Sequence, residues 1–201
     1  MTTRTLAPLL ALCAAAALGA CADPLRIRAR LDVVTDTLSA YSIDDPNAQL
    51  PAALTTAAPI VDADGNFARV PAVVRVSPAF DYDVAFRLQS NSVVVIPARL
   101  TANSLAGAHR VGLQLSDSAF DDIKRAPAKG YQYDSVAVTV PVGKVVFIEA
   151  NPSVCSSELS TTIYSKLIID SIPANAQRVF FRIAVDPNCG FRSFLPGIPT
   201  S

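Results

Sequence analysis

Apolar side chains recur at every second position through short stretches of this chain, and turn-forming residues close each stretch. In residues 25–33, LRIRARLDV, one face of an extended chain carries Leu25, Ile27, Ala29, Leu31 and Val33, and the other carries Arg26, Arg28, Arg30 and Asp32. A period of two is that of a half-buried strand; wound as a helix, the same residues would scatter around the axis. Residues 80–89, FDYDVAFRLQ, repeat the pattern, with Phe80, Tyr82, Val84, Phe86 and Leu88 expected inward and Asp81, Asp83 and Arg87 outward. Further runs follow at 110–116 (RVGLQLS), 133–140 (YDSVAVTV), 144–150 (KVVFIEA), 162–172 (TIYSKLIIDSI) and 177–185 (QRVFFRIAV). Between runs stand DDPN, DADGN, PVGK and DPNCG, whose Pro, Gly, Asn and Asp supply turn conformations.

Strands this closely spaced leave no room for long helices, so the expected fold is all-β: an antiparallel sandwich, immunoglobulin-like or jelly-roll-like, formed by residues 25–201 as one domain. One short helix is expected at residues 118–125, where Ser118 and Asp121 have capping-box spacing and Pro127 ends the run. Composition agrees: Glu occurs only at 149 and 158 and Lys only at 124, 129, 144 and 166, while Val, Thr and Pro are plentiful. Pro71, Pro97 and Pro141 fall inside apolar runs and are expected at sheet edges or bulges. A transmembrane barrel is disfavoured, because the chain has no Trp and 5 Tyr for aromatic girdles and ends in PGIPTS.

Ahead of the first run, residues 1–20 combine one positive charge, Arg4, with the uncharged stretch LAPLLALCAAAALGA, the layout of a secretory signal helix. The stretch is shorter than the roughly 20 apolar residues that span a bilayer, and polar residues follow it. Ala20 and Ala22 would suit the general signal peptidase, giving a chain that begins at Asp23. The preferred alternative rests on residues 18–21, LGAC, which resemble the lipobox of bacterial lipoproteins: a branched apolar residue, two small ones and a cysteine. That resemblance implies cleavage before Cys21, a diacylglyceryl group on its thiol and an acylated amino terminus, with membrane lipid as the partner of Cys21. Two or three acyl chains hold a protein at a bilayer essentially permanently, where one holds it marginally. Ala22 stands where Asp would favour retention at the inner membrane in some diderm bacteria, so the resemblance leans towards the outer membrane. Residues 21–24 then form the lipidated cysteine and a short tether, a reach of about 13 Å from Cys21 to Leu25.

Loss of residues 1–20 leaves 16 basic against 17 acidic residues, a balance that argues against nucleic acid as a partner. Cys13 leaves with the signal, and in an exported chain the remaining Cys155 and Cys189 read as a disulfide, with two buried free thiols as the alternative. Arg26, Arg28 and Arg30, so near the anchor, are candidate contacts for anionic headgroups; an ordinary solvated strand face is the competing reading. No cofactor or metal site is expected. His109 is the sole histidine and belongs to no catalytic motif, and DADGN at 62–66 has calcium-loop spacing but carries Phe67 and Val73 where that loop needs Gly and Glu, so it reads as a hairpin turn. Asp81 and Asp83, about 7 Å apart on one strand face, have a spacing that a glycosidase-type acid and base could use, but Arg87 shares that face and alternating charges are what a solvated sheet face carries. The expected role is therefore non-catalytic: a lipid-anchored binding module with an envelope protein as partner. An envelope hydrolase using clustered Asp residues and a structural subunit of a membrane assembly are the alternatives. The tail GFRSFLPGIP, with Phe191, Phe194 and Leu195, is a candidate exposed patch, or else packs on the body.

Overall fold

The computed structural model of the chain describes residues 28–61, 64–78, 80–101, 110–133, 136–174 and 177–199. They form an all-β sandwich of two antiparallel sheets. The strands are β1 (Val34–Tyr41), β2 (Ala53–Val61), β3 (Phe67–Val74), β4 (Val84–Leu88), β5 (Ser92–Pro97), β6 (Val111–Ser116), β7 (Gln132–Tyr133), β8 (Val138–Pro141), β9 (Val145–Ala150), β10 (Ile163–Ser171) and β11 (Arg178–Asp186). One sheet, here sheet A, has the order β1-β11-β10-β9-β6-β7, and the other, sheet B, has β3-β2-β4-β5-β8. Leu54, Val84, Phe86, Val93 and Val95 from sheet B meet Leu113, Ile148, Leu167, Phe181 and Ile183 from sheet A in one buried core. Phe86 and Phe181 touch across it with ring centroids 5.2 Å apart.

Proline sits where a missing amide donor does least harm. Pro71 lies in β3 and Pro141 ends β8, the two edge strands of sheet B, while Pro97 ends β5. β2 and β3 pair antiparallel up to Val61 and Phe67, and between them Gly65 has φ +83°, a conformation an L side chain resists.

Three expectations give way. Residues 28–33 form no strand; β1 begins at Val34, opposite Val185. Sheet A's ladder ends there because β11 runs out at Asp186 and the next residue, Pro187, has no N–H to give. The amides of Arg30 and Leu31 donate to the Asn188 side chain instead, at 2.7 and 2.9 Å, and that of Val33 donates to the Gly197 carbonyl at 3.1 Å. The expected helix at 118–125 is a single 3₁₀ turn, Phe120–Asp122, without a side-chain cap. Tertiary partners take its carbonyls: Lys166 Nζ donates to those of Phe120 and Ile123, and the amide of Phe194 donates to that of Lys124. The run at 133–140 divides between β7 and β8.

Candidate functional site

One end of the sandwich joins a disulfide to several buried polar contacts among the described residues. There β9 and β11 finish, β1, β6 and β10 begin, and the β2–β3 hairpin projects. Cys155 follows β9 and Cys189 follows β11, and they are bonded as expected, with Cα atoms 5.9 Å apart. The bridge spans β10 and locks together the two loops on either side of it.

Arg69, on β3, ties sheet B to this crosslink. Its guanidinium donates to the carbonyls of Pro187 and Val154, both at 3.1 Å, and contacts Cys189 Sγ at 3.1 Å, with Glu158 3.6 Å away. Asp186 works from sheet A: its Oδ1 accepts from the backbone N–H and the Nδ2 of Asn188, and its Oδ2 accepts from the Ser193 amide. Burial raises the Asp186 carboxyl above its ordinary value, while those hydrogen bonds pull the other way. Asn188, oriented by Asp186, holds the backbone of Arg30 and Leu31. The segment leading from the N-terminus is thus clamped to this end.

Of the residues singled out in the sequence, Arg28 and Arg30 are exposed beside that clamp. Arg26, Cys21, Cys13, Asp62 and His109 lie outside the described residues. Asp81 and Asp83 do not form a pair on one solvated face. Asp81 is exposed and accepts from Ser153 Oγ at 3.1 Å; Asp83 is fully buried, its Oδ2 accepting from the amide and hydroxyl of Thr56 at 2.6 and 2.8 Å. The alternation breaks because Tyr82 and Ala85 bury against Ala53 and Ala98 on the outside of sheet B, while Val84 and Phe86 bury in the central core. Every position from Tyr82 to Phe86 is therefore covered.

The tail is likewise not an exposed patch as a whole. Phe194 is buried, stacked on Phe147 with centroids 6.4 Å apart and planes 13° from parallel, although Leu195 remains exposed. Together with Phe120, Ile123, Ala126 and Tyr131 it covers the outer face of sheet A. Lys166 lies beneath that cover, its ammonium over the Phe120 ring at 4.1 Å and lowered by burial to about 8.

Sheet B keeps an open groove of about 400 Å³ on its outer face, lined by Ile43, Val76, Ile96 and Leu100 with Arg87 and Thr101. Arg87 Nε donates to Asp44 at 2.8 Å, and Tyr82 shares a hydrogen bond with Thr101. Such a lining offers apolar contact with one charged side chain at its rim. Among the described residues no cluster of three or more His, Cys, Asp or Glu is placed to hold a metal ion, and no helix is long and apolar enough to cross a membrane.

Arg69, Asp186 and Asn188 escaped the sequence reading. DPNCG was legible as a turn, but Asp and Asn two residues apart signal only a local turn until the chain that they hold, some 157 residues earlier, is in place. Comparison with family models, with curated proteins and with solved structures found no match to this chain.

Proposed function

We propose that this chain is a lipid-anchored protein of the cell envelope whose mature domain acts by binding another envelope protein rather than by catalysis. The LGAC sequence at 18–21 carries the reading, because it closes an apolar run of export length with the residues that lipidation requires. Acylated Cys21 supplies the membrane contact, and Ala22 after it favours the outer membrane. Arg28 and Arg30 are exposed where the tether meets the body, as headgroup contacts must be, and with Arg26 each contributes up to about 1 kcal/mol against an anionic surface. Non-catalytic action is supported by the separation of Asp81 from Asp83, which divides the strongest hydrolytic candidate between surface and core.

The test is metabolic labelling of the full chain in a diderm bacterium with a clickable fatty acid, beside a Cys21→Ser variant. The expected result is a labelled wild-type band in the outer-membrane fraction and an unlabelled variant. An unlabelled wild-type chain overturns the anchor, and hydrolytic turnover lost in an Asp81→Asn variant overturns the non-catalytic role.

A further inference from the structure

We infer that the clamped end of the sandwich is the face laid on the lipid bilayer, with Val61, Phe67 and Leu159 entering the headgroup boundary. The inference deepens the reading of Cys21 as a lipid anchor and rests on it. Seven residue steps separate Cys21 from Arg28, so the acylated thiol lies at most about 25 Å from the point where the described chain begins. That point does not swing freely, because Asn188 and Gly197 hold Arg30, Leu31 and Val33. A short tether joined to a clamped segment brings one particular end of the body to the membrane.

That end carries apolar side chains without a cover in the described structure. Leu159 is 84 % exposed, Val61 70 % and Phe67 51 %. Val61 and Phe67 are register partners and so share one side of the hairpin. Arg69 is on that side too, packed at 5.5 Å from the Phe67 ring and reaching Glu158, the neighbour of Leu159. The three apolar residues thus border one region, with Arg28 and Arg30 exposed at the same end. Glu158 is offset by Arg69, and Asp64 is exposed at the hairpin turn. An acid there keeps the tip in the hydrated headgroup layer, so the hairpin lies on its side instead of inserting tip first. The disulfide and Arg69 keep the face rigid, and the β4–β5 hairpin and the β8–β9 connection between the sheets, at the opposite end, then point away from the bilayer.

Full-length chains carrying Leu159→Cys or, at the far end, Ser90→Cys supply one free thiol each once Cys21 is acylated and Cys155 is bonded to Cys189. Each is labelled with a fluorophore and reconstituted into vesicles containing nitroxide-labelled phosphatidylglycerol and phosphatidylcholine, with fatty-acid incorporation measured in parallel. The expected result is quenching several-fold stronger at 159 than at 90, falling towards the value at 90 when Val61→Ser and Phe67→Ser are added. Equal quenching at both positions in a chain that does carry the fatty acid overturns the orientation and leaves the anchor standing. A label at 159 that is shielded from aqueous iodide in native membranes yet not quenched by lipid assigns the face to a protein partner and also overturns it. A chain without fatty acid overturns the anchor reading itself, and the orientation with it.

Discussion

The two outer faces of the sandwich are built from the same kind of strand and end in opposite conditions. Sheet A's outer face disappears beneath the segment at 118–131 and the C-terminal tail, so β9, VVFIEA, is buried at nearly every position. Sheet B's outer face keeps a groove open to solvent. The difference teaches what covers a strand: the continuous apolar run of β9 is met on its outer side by later segments of the chain, whereas part of sheet B's outer face meets none. It also locates the mechanical weight of the tail, which leaves the body at Cys189 and returns to it at Phe194.

Cutting the root of the cover should do the most damage. Removing both cysteines as Cys155→Ser and Cys189→Ser opens a crosslink of sequence separation 34, worth about 4 kcal/mol in the chain-entropy account. Urea unfolding should show that loss, and hydrogen exchange should quicken at Ala126 and Phe194 more than in the β4–β5 hairpin. Equal quickening in both places would break the contrast between the faces. Phe194→Ala, which strips the cover without touching the crosslink, should cost roughly 3 kcal/mol, whereas Leu100→Ala on the open face should cost less than about 0.5 kcal/mol. Similar costs for the two would show that the groove is covered in solution.

The covered face should also write itself into the pH dependence of stability. Burial lowers Lys166 to about 8 against an ordinary 10.5, with Asp121 opposing the shift and Lys124 and Arg182 adding to it. Between those values the unfolded chain holds a proton that the folded chain has lost, so stability rises with pH. Tyr131, Tyr133 and Tyr164 act in reverse, since burial raises each above the ordinary 10.0 and Tyr133 to about 12. Above about pH 10 the unfolded chain gives up tyrosine protons that the folded chain retains, and stability falls. Chemical denaturation from pH 7 to 11 should therefore trace a climb from about 8 and a descent beyond about 10, and Lys166→Met should flatten the climb. A small effect belongs to the groove rim as well: Arg87→Gln breaks a pair with Asp44 that is half exposed on both sides, and its cost should stay below about 1 kcal/mol.

Much of the fold was legible from residues alone, and the exceptions share a cause. KVVFIEA, TIYSKLIIDSI and QRVFFRIAV became β9, β10 and β11, the centre of sheet A, because long apolar β-branched runs bury wherever a sheet forms. β1 was not anticipated: VTDTLSAY is mostly polar and is a strand because β11 lies beside it. The cleanest alternation of all, LRIRARLDV, pointed to a strand that its described residues, 28–33, do not form, since alternation states only that a strand would suit the segment and a partner edge must still be offered. Of the site, the disulfide and the exposure of Arg28 and Arg30 were foreseeable, while the Arg69, Asp186 and Asn188 contacts were not.

By itself the sequence determined the local properties of this protein: extended segments, turns at Asp, Asn and Gly, prolines at edges, and two cysteines left to pair. Those follow from dihedral preference and side-chain period, which act over a few neighbouring residues. Only the tertiary structure decided that Asp83 goes inward to Thr56, that Lys166 is roofed by Phe120 and Phe194, and that Asn188 grips a segment 158 residues away at Arg30. Burial and buried hydrogen bonding depend on what arrives from elsewhere in the chain, and no short stretch carries that information.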